Sequence, residues 1–120
     1  MPEETRTALI VDDDPEILRL VASMLKPRNV RVLVAPRPSE ALRICESQPI
    51  DLLISDMRMP DMDGIRLAGR VLKLYPEARV LLMSGYFHSA PPGAKQIHFL
   101  AKPFFPSELI GHLQELLPGT

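Results

Sequence analysis

Asp12, Asp13 and Asp56 are the residues of this chain most able to do chemistry, because each carboxylate comes at or just after the end of a short apolar run. Asp12 and Asp13 follow Ala8 to Val11, and Asp56 follows Leu52 to Ile54. Ser84 closes the run Val80 to Met83, and Lys102 closes a fifth run. If those runs are neighbouring strands, their ends converge. Three carboxylates brought together repel and raise one another's pKa values unless a cation or Lys102 neutralises them, so a hard divalent ion held by oxygen ligands is a natural solution. Mg²⁺ suits that donor set better than Zn²⁺, for which histidine and cysteine would be expected. His88, His98 and His112 show no ligand spacing with one another or with Cys45.

The elements that must position these side chains can be read from periodicity. The runs Ala8 to Val11, Leu52 to Ile54 and Val80 to Met83 lack polar alternation, as strands buried on both faces do. Val30 to Val34 alternates, with Arg31 between Val30 and Val32, which suits an edge strand. Between the runs lie helical stripes: Ile17, Leu18, Val21, Ala22 and Leu25; Ala41, Leu42 and Cys45; Ile65, Ala68, Val71, Leu72 and Tyr75; and Leu109, Ile110, Leu113, Leu116 and Leu117. Asp14 before Pro15 is a start signal for the first helix, Ser39 opens the second, and the third stops before Pro76. Strand alternating with helix predicts an α/β fold of three layers, a parallel sheet with helices on both faces and function at the strand C-termini.

Bulk properties narrow the function. The 120 residues have room for one ordinary domain and no second one. Lys and Arg number 14 against 15 Asp and Glu, so no field of one sign draws the protein to nucleic acid or to a membrane. Cys45 stands alone and cannot make an internal disulfide, and the start MPEETRTALIVDDD carries neither a basic region nor a long apolar run, which points to the cytoplasm. No stretch approaches the roughly 20 apolar residues of a spanning helix.

Together LIVDDDPE, LLISDMRMPDMDG, LLMSGY and FLAKPF resemble the receiver domain of two-component response regulators, and the likeness covers nearly the whole chain. It implies a doubly wound, flavodoxin-like five-stranded sheet in the order 2-1-3-4-5, and a single receiver domain over residues 1–120 with a structured core of about residues 6–117. It also assigns roles. Asp56 is the acceptor of a phosphoryl group from the phosphohistidine of a sensor histidine kinase or phosphotransfer protein. Asp13 binds Mg²⁺ directly and Asp12 through water, Asp56 contributes to the same site, and the main-chain carbonyl of Arg58 is a further ligand. Lys102 and the Ser84 hydroxyl contact the phosphoryl oxygens, and Pro103 matches a cis peptide. Phe99 matches an aromatic that turns inward on activation, and the altered surface signals to a downstream protein. Such a domain catalyses its own phosphorylation and dephosphorylation and is not a turnover enzyme.

The chain departs from that pattern in three places. The stretch between Ser84 and Lys102 is short by about one helical turn, and Pro91, Pro92 and Gly93 forbid a regular helix there, so the helix between the fourth and fifth strands is expected to be short or missing. Its loss would put output through a phosphorylation-linked homodimer in question. Phe105 stands before Pro106 where a capping Asp or Ser is common, and is expected to pack down as a hydrophobic staple. Arg58 and Tyr86, both bulky, flank Asp56 and are expected to shield its phosphoryl group. Two other functions stay open on the sequence: a haloacid-dehalogenase-like phosphatase using Asp12 and Asp14 as a D-x-D motif, and a receiver-like interaction module that works without phosphate. With no effector segment after Leu117, the domain is expected to act through another protein or to be a piece of a larger one.

Overall fold

Unbroken apolar runs form strands here because both faces of the sheet are covered. Along β1 (Arg6–Val11), Ala8 and Ile10 enter one core cluster while Leu9 and Val11 enter the other. The same alternation separates Leu52 and Ile54 from Leu53 in β3 (Leu52–Asp56), and Leu81 and Met83 from Val80 and Leu82 in β4 (Arg79–Ser84). In this computed structural model, residues 5–85 and 95–119 are described.

The described elements run in the order β1, α1 (Pro15–Leu25), a 3-10 turn (Lys26–Arg28), β2 (Val30–Ala35), α2 (Pro38–Ser47), β3, α3 (Gly64–Leu74), β4, β5 (Ile97–Ala101) and α4 (Pro106–Leu116). The five strands form one parallel sheet in the order β2-β1-β3-β4-β5. Val21 and Leu25 of α1 and Leu109, Leu113 and Leu116 of α4 cover one face; Ala41 and Cys45 of α2 and Leu67, Ala68 and Val71 of α3 cover the other. That is the three-layer, doubly wound architecture expected from the alternation of patterns. β2 is an edge strand, with Arg31 and Val34 exposed, as its pattern suggested.

Side chains set the register where helices hand over to strands. Asp51 accepts from the Thr7 N–H through Oδ2 at 2.7 Å, while its main chain bonds Thr7 and Arg79, tying the starts of β1, β3 and β4 together. Asp14 caps α1 by accepting from the Glu16 N–H at 2.9 Å, and Asp63 caps α3 by accepting from the Arg66 N–H at 2.8 Å.

Two local expectations are corrected. α2 starts at Pro38, with Arg37 in extended conformation at the cap, rather than being opened by Ser39; a proline already fixed near helical φ makes the earlier start favourable. Phe105 is no staple. Its side chain is 74% exposed, and the neighbouring Phe104 packs against the core instead. The first turn of α4 is served from the other direction, by the Glu108 carboxylate accepting from the Phe105 N–H at 2.8 Å. The expectation of a short or missing helix between the fourth and fifth strands falls on residues 86–94, outside the described residues, as does Tyr86.

Candidate functional site

β1 ends at Val11, in register with Ala35 of β2 and Ser55 of β3, so the next two residues emerge at the C-terminal rim of the sheet. Asp12 is fully buried there. Its Oδ1 accepts from the Asp14 N–H at 2.9 Å and its Oδ2 from Lys102 Nζ at 2.8 Å, so both oxygens are satisfied. Asp13 is exposed, whereas Asp56, the last residue of β3, is half-buried. One carboxylate oxygen from each of Asp12, Asp13 and Asp56 lies within 4.8 Å of the others.

Asp56 is fixed by its neighbours along the main chain. It pairs with Met83 of β4, the Met57 N–H donates to the Met83 carbonyl at 2.8 Å, and the Gly64 N–H donates back to Met57 at 2.9 Å. That folded-back loop leaves no space at Gly64. An added Cβ would press into the Asp56 carbonyl oxygen and stand 3.1 Å from Met57 Cα. On the other side, Ser84 is buried at the end of β4, and its carbonyl accepts from the Lys102 N–H at 2.7 Å. The Lys102–Pro103 peptide is cis. Lys102 thereby reaches across the strand ends: its Nζ bonds Asp12 and lies 3.4 Å from Asp56 Oδ1.

The electrostatics indicate a shortage of positive charge. Burial pushes the Asp12 pKa up, and the hydrogen bonds from Lys102 and the Asp14 N–H only partly oppose it, while the Asp56 charge adds to the rise. Burial works to lower the Lys102 pKa, but its bond to Asp12 and the charges of Asp12 and Asp56 outweigh that and raise it. Both partners are thus driven toward their protonated forms, which is the behaviour of a rim with more carboxylate than one ammonium neutralises. The donor set is all oxygen and partly open to solvent, so a hard divalent cation fits it.

Apart from Tyr86, which lies outside the described residues, each residue singled out in the sequence for this rim has a defined place. Asp12, Asp13, Asp56 and Lys102 come together, Ser84 closes the adjoining strand, and Arg58 is an exposed residue of the loop after β3. Asp14 is engaged in capping α1 and is exposed, so it does not pair with Asp12 as the phosphatase motif requires. Cys45 is the small buried hydrophobe its helix position suggested. Met59 and Met62 pack against the core beneath the loop. Phe99 is partly buried against the cluster that includes Leu82. Sequence reasoning missed two features: the crowding at Gly64, and the meeting of His98 with His112, whose Nδ1 atoms are 2.8 Å apart. The pattern puts His98 in strand phase with Leu100 and His112 beside Leu113 on the stripe of the final helix, but no spacing rule brings the two together.

Comparison with known proteins agrees with this geometry. The sequence model of the response regulator receiver domain matches residues 8–114. The chain belongs to that family, the signalling receiver of two-component systems, and its acidic pocket is consistent with a phosphoacceptor site. It is similar to the transcriptional regulatory protein GlrR of Escherichia coli (36% identity over 86 residues, 72% of this chain and 19% of GlrR). It is also similar to the sensor kinase CckA of Brucella abortus (32% identity, 92% of this chain and 12% of the kinase). Among solved structures, a two-component transcriptional regulator AraC from Clostridium phytofermentans superposes with a TM-score of 0.81 at 33% identity, over 94% of this chain and 92% of that one. The chain therefore spans a small part of the full-length regulator and kinase it matches. Among the described residues, no helix is long and apolar enough to cross a membrane.

Proposed function

We propose that Asp56 accepts a phosphoryl group from a phosphohistidine on a histidine kinase or phosphotransfer protein, and that the domain passes the resulting change of surface to a downstream protein. The observation that carries this reading is the Lys102 ammonium, 2.8 Å from Asp12 and 3.4 Å from Asp56 across a rim otherwise crowded with carboxylates.

An oxygen of Asp56 attacks phosphorus as the P–N bond to the donor imidazole breaks; the electron pair leaves with the imidazole, which takes up a proton, and the product is an acyl phosphate. Such a transfer depends on positioning and on charge cover over the phosphoryl oxygens more than on covalent help. Lys102 supplies one fixed positive charge, and the Ser84 hydroxyl donates to a phosphoryl oxygen. Asp12 holds Lys102 in place, its other oxygen fixed by the Asp14 N–H. Mg²⁺, held by Asp12, Asp13, Asp56 and the main-chain carbonyl of Arg58, supplies the remaining positive charge when bound. Return to the starting state is hydrolysis: water attacks phosphorus, the P–O bond to Asp56 breaks, and inorganic phosphate leaves. Arg58, exposed on the loop after β3, shields the group from that water.

Intact-mass measurement after incubation with acetyl phosphate tests the proposal. One phosphoryl group is expected on the wild type with Mg²⁺ and none with a chelator or on Asp56→Asn; equal labelling of Asp56→Asn would overturn it.

A further inference from the structure

His98 of β5 and His112 of α4 face each other through the same ring atom. Their Nδ1 atoms are 2.8 Å apart, with the rings at 74° and their centroids 5.0 Å apart. One Nδ1 must carry a proton and the other a lone pair, so the two rings converge on a single shared point. Strand alternation makes this contact: Ile97 and Phe99 serve one core cluster, which leaves His98 with Leu100 on the face that α4 covers. His112 arrives on that face between Leu109 and Leu113.

We infer that His98 and His112 form a second cation site, chemically unlike the acidic rim, that takes a borderline first-row dication of the Zn²⁺ class in place of the shared proton and so ties β5 to the final helix. Nitrogen pairs of this kind suit Zn²⁺, Ni²⁺ and Cu²⁺ and discriminate against Mg²⁺. A metal about 2.0–2.1 Å from each nitrogen at a tetrahedral angle requires the two atoms roughly 3.3 Å apart, an opening of about half an ångström that small ring rotations supply.

Four further features favour a dication there. The Glu115 carboxylate lies 3.8 Å from His98 Nε2, the ring nitrogen away from His112, which is where an outer carboxylate orients a metal-bound imidazole. Glu108 joins Glu115 in acting on His112 electrostatically, so two negative charges lie near the pair. Burial, and after it the neighbouring His98, lowers the His112 pKa, the direction that favours the unprotonated ring a metal takes. The His98 side chain is 18% exposed, so it is not sealed from solvent. Lys102, which reaches the acidic rim, lies four residues further along the chain from His98, and the rim carboxylates offer oxygen in place of nitrogen.

The test is calorimetric titration of the untagged full chain with ZnCl₂ in the presence of excess Mg²⁺. One Zn²⁺ per chain is expected, with affinity reduced about tenfold or more in His98→Gln and in His112→Gln and unchanged in His88→Gln. Because a glutamine at either position could disturb folding, the imidazole nitrogen resonances of the wild type provide a second readout: Zn²⁺ should shift both Nδ1 signals, and Mg²⁺ neither. Zn²⁺ binding that excess Mg²⁺ abolishes, that follows His88 instead, or that leaves the two Nδ1 signals unmoved would overturn the inference.

Discussion

Asp13 differs from the other rim residues in being exposed while lacking the bond to Lys102 that Asp12 makes, so its charge adds repulsion without a fixed partner among the described residues. Asp13→Asn is therefore expected to stabilise the metal-free protein, by about 1 kcal/mol. The same change should abolish the rise in melting temperature that Mg²⁺ gives the wild type by binding the folded state. Thermal melts of both proteins with a chelator and with Mg²⁺ check the pair of outcomes; a melting temperature for Asp13→Asn below that of wild type without metal would contradict the repulsion argument. Cys45 gives a pH effect of opposite origin. Burial, with Glu46 adding to it, raises its thiol pKa from 9.0 to about 11, so the folded state keeps a proton that the unfolded state releases. The stability that this confers is complete below pH 9.0 and is lost as pH rises through 11, a loss of about 3 kcal/mol. Denaturant titrations across that window should show the loss in wild type and a flatter profile in Cys45→Ala, and parallel profiles would refute it.

The strands were legible as elements because burial on both faces removes polar alternation, a signal strong enough to place all three inner strands within about two residues. Helix starts were less so. Ser39 is a good capping residue, yet Pro38 just before it fixes the backbone earlier, and two local preferences at adjacent positions cannot be ranked without the packing. Phe104 and Phe105 raise the same difficulty: two neighbouring aromatics, one of which must face the core, with the choice set by how the chain leaves β5. Since Phe105 is exposed at the N-cap of α4, Phe105→Asp removes little packing and adds a side-chain acceptor and a negative charge at the start of the helix. A gain of about 1 kcal/mol is expected, read as a higher melting temperature; a lower one would show that the phenyl ring contributes more than its exposure implies. Gly64 lies at the other extreme. How closely it approaches the Asp56 carbonyl was not legible in the sequence, because that depends on β3 and the start of α3 meeting in space. Gly64→Ala should cost about 2 kcal/mol through overpacking, and because the strained neighbour is Asp56 itself, it should also slow phosphorylation by acetyl phosphate. Unaltered melting would mean that the loop yields freely.

At the scale of the whole molecule, Asp12 and Lys102 bond although 90 residues separate them, and the sheet order alone makes that possible. The rim was legible in advance because a parallel sheet gathers the C-terminal ends of its strands, so residues at the ends of buried runs meet whatever their spacing in sequence. The histidine pair was not, since it forms where the final helix docks on β5, a contact set by packing phase and by no spacing rule. One scaffold thus brings together an oxygen-rich rim, proposed as a phosphoacceptor, and a nitrogen pair, proposed as a separate cation site. Borohydride reduction of the protein after treatment with acetyl phosphate and Mg²⁺, followed by peptide sequencing, tests the first of these most directly, because an acyl phosphate is reduced to the alcohol at the carboxyl that carried it. The expected result is homoserine at position 56 and nowhere else, with the yield falling sharply in Lys102→Ala. Homoserine at position 12 or 13, or the full yield at position 56 without Lys102, would contradict the assignment.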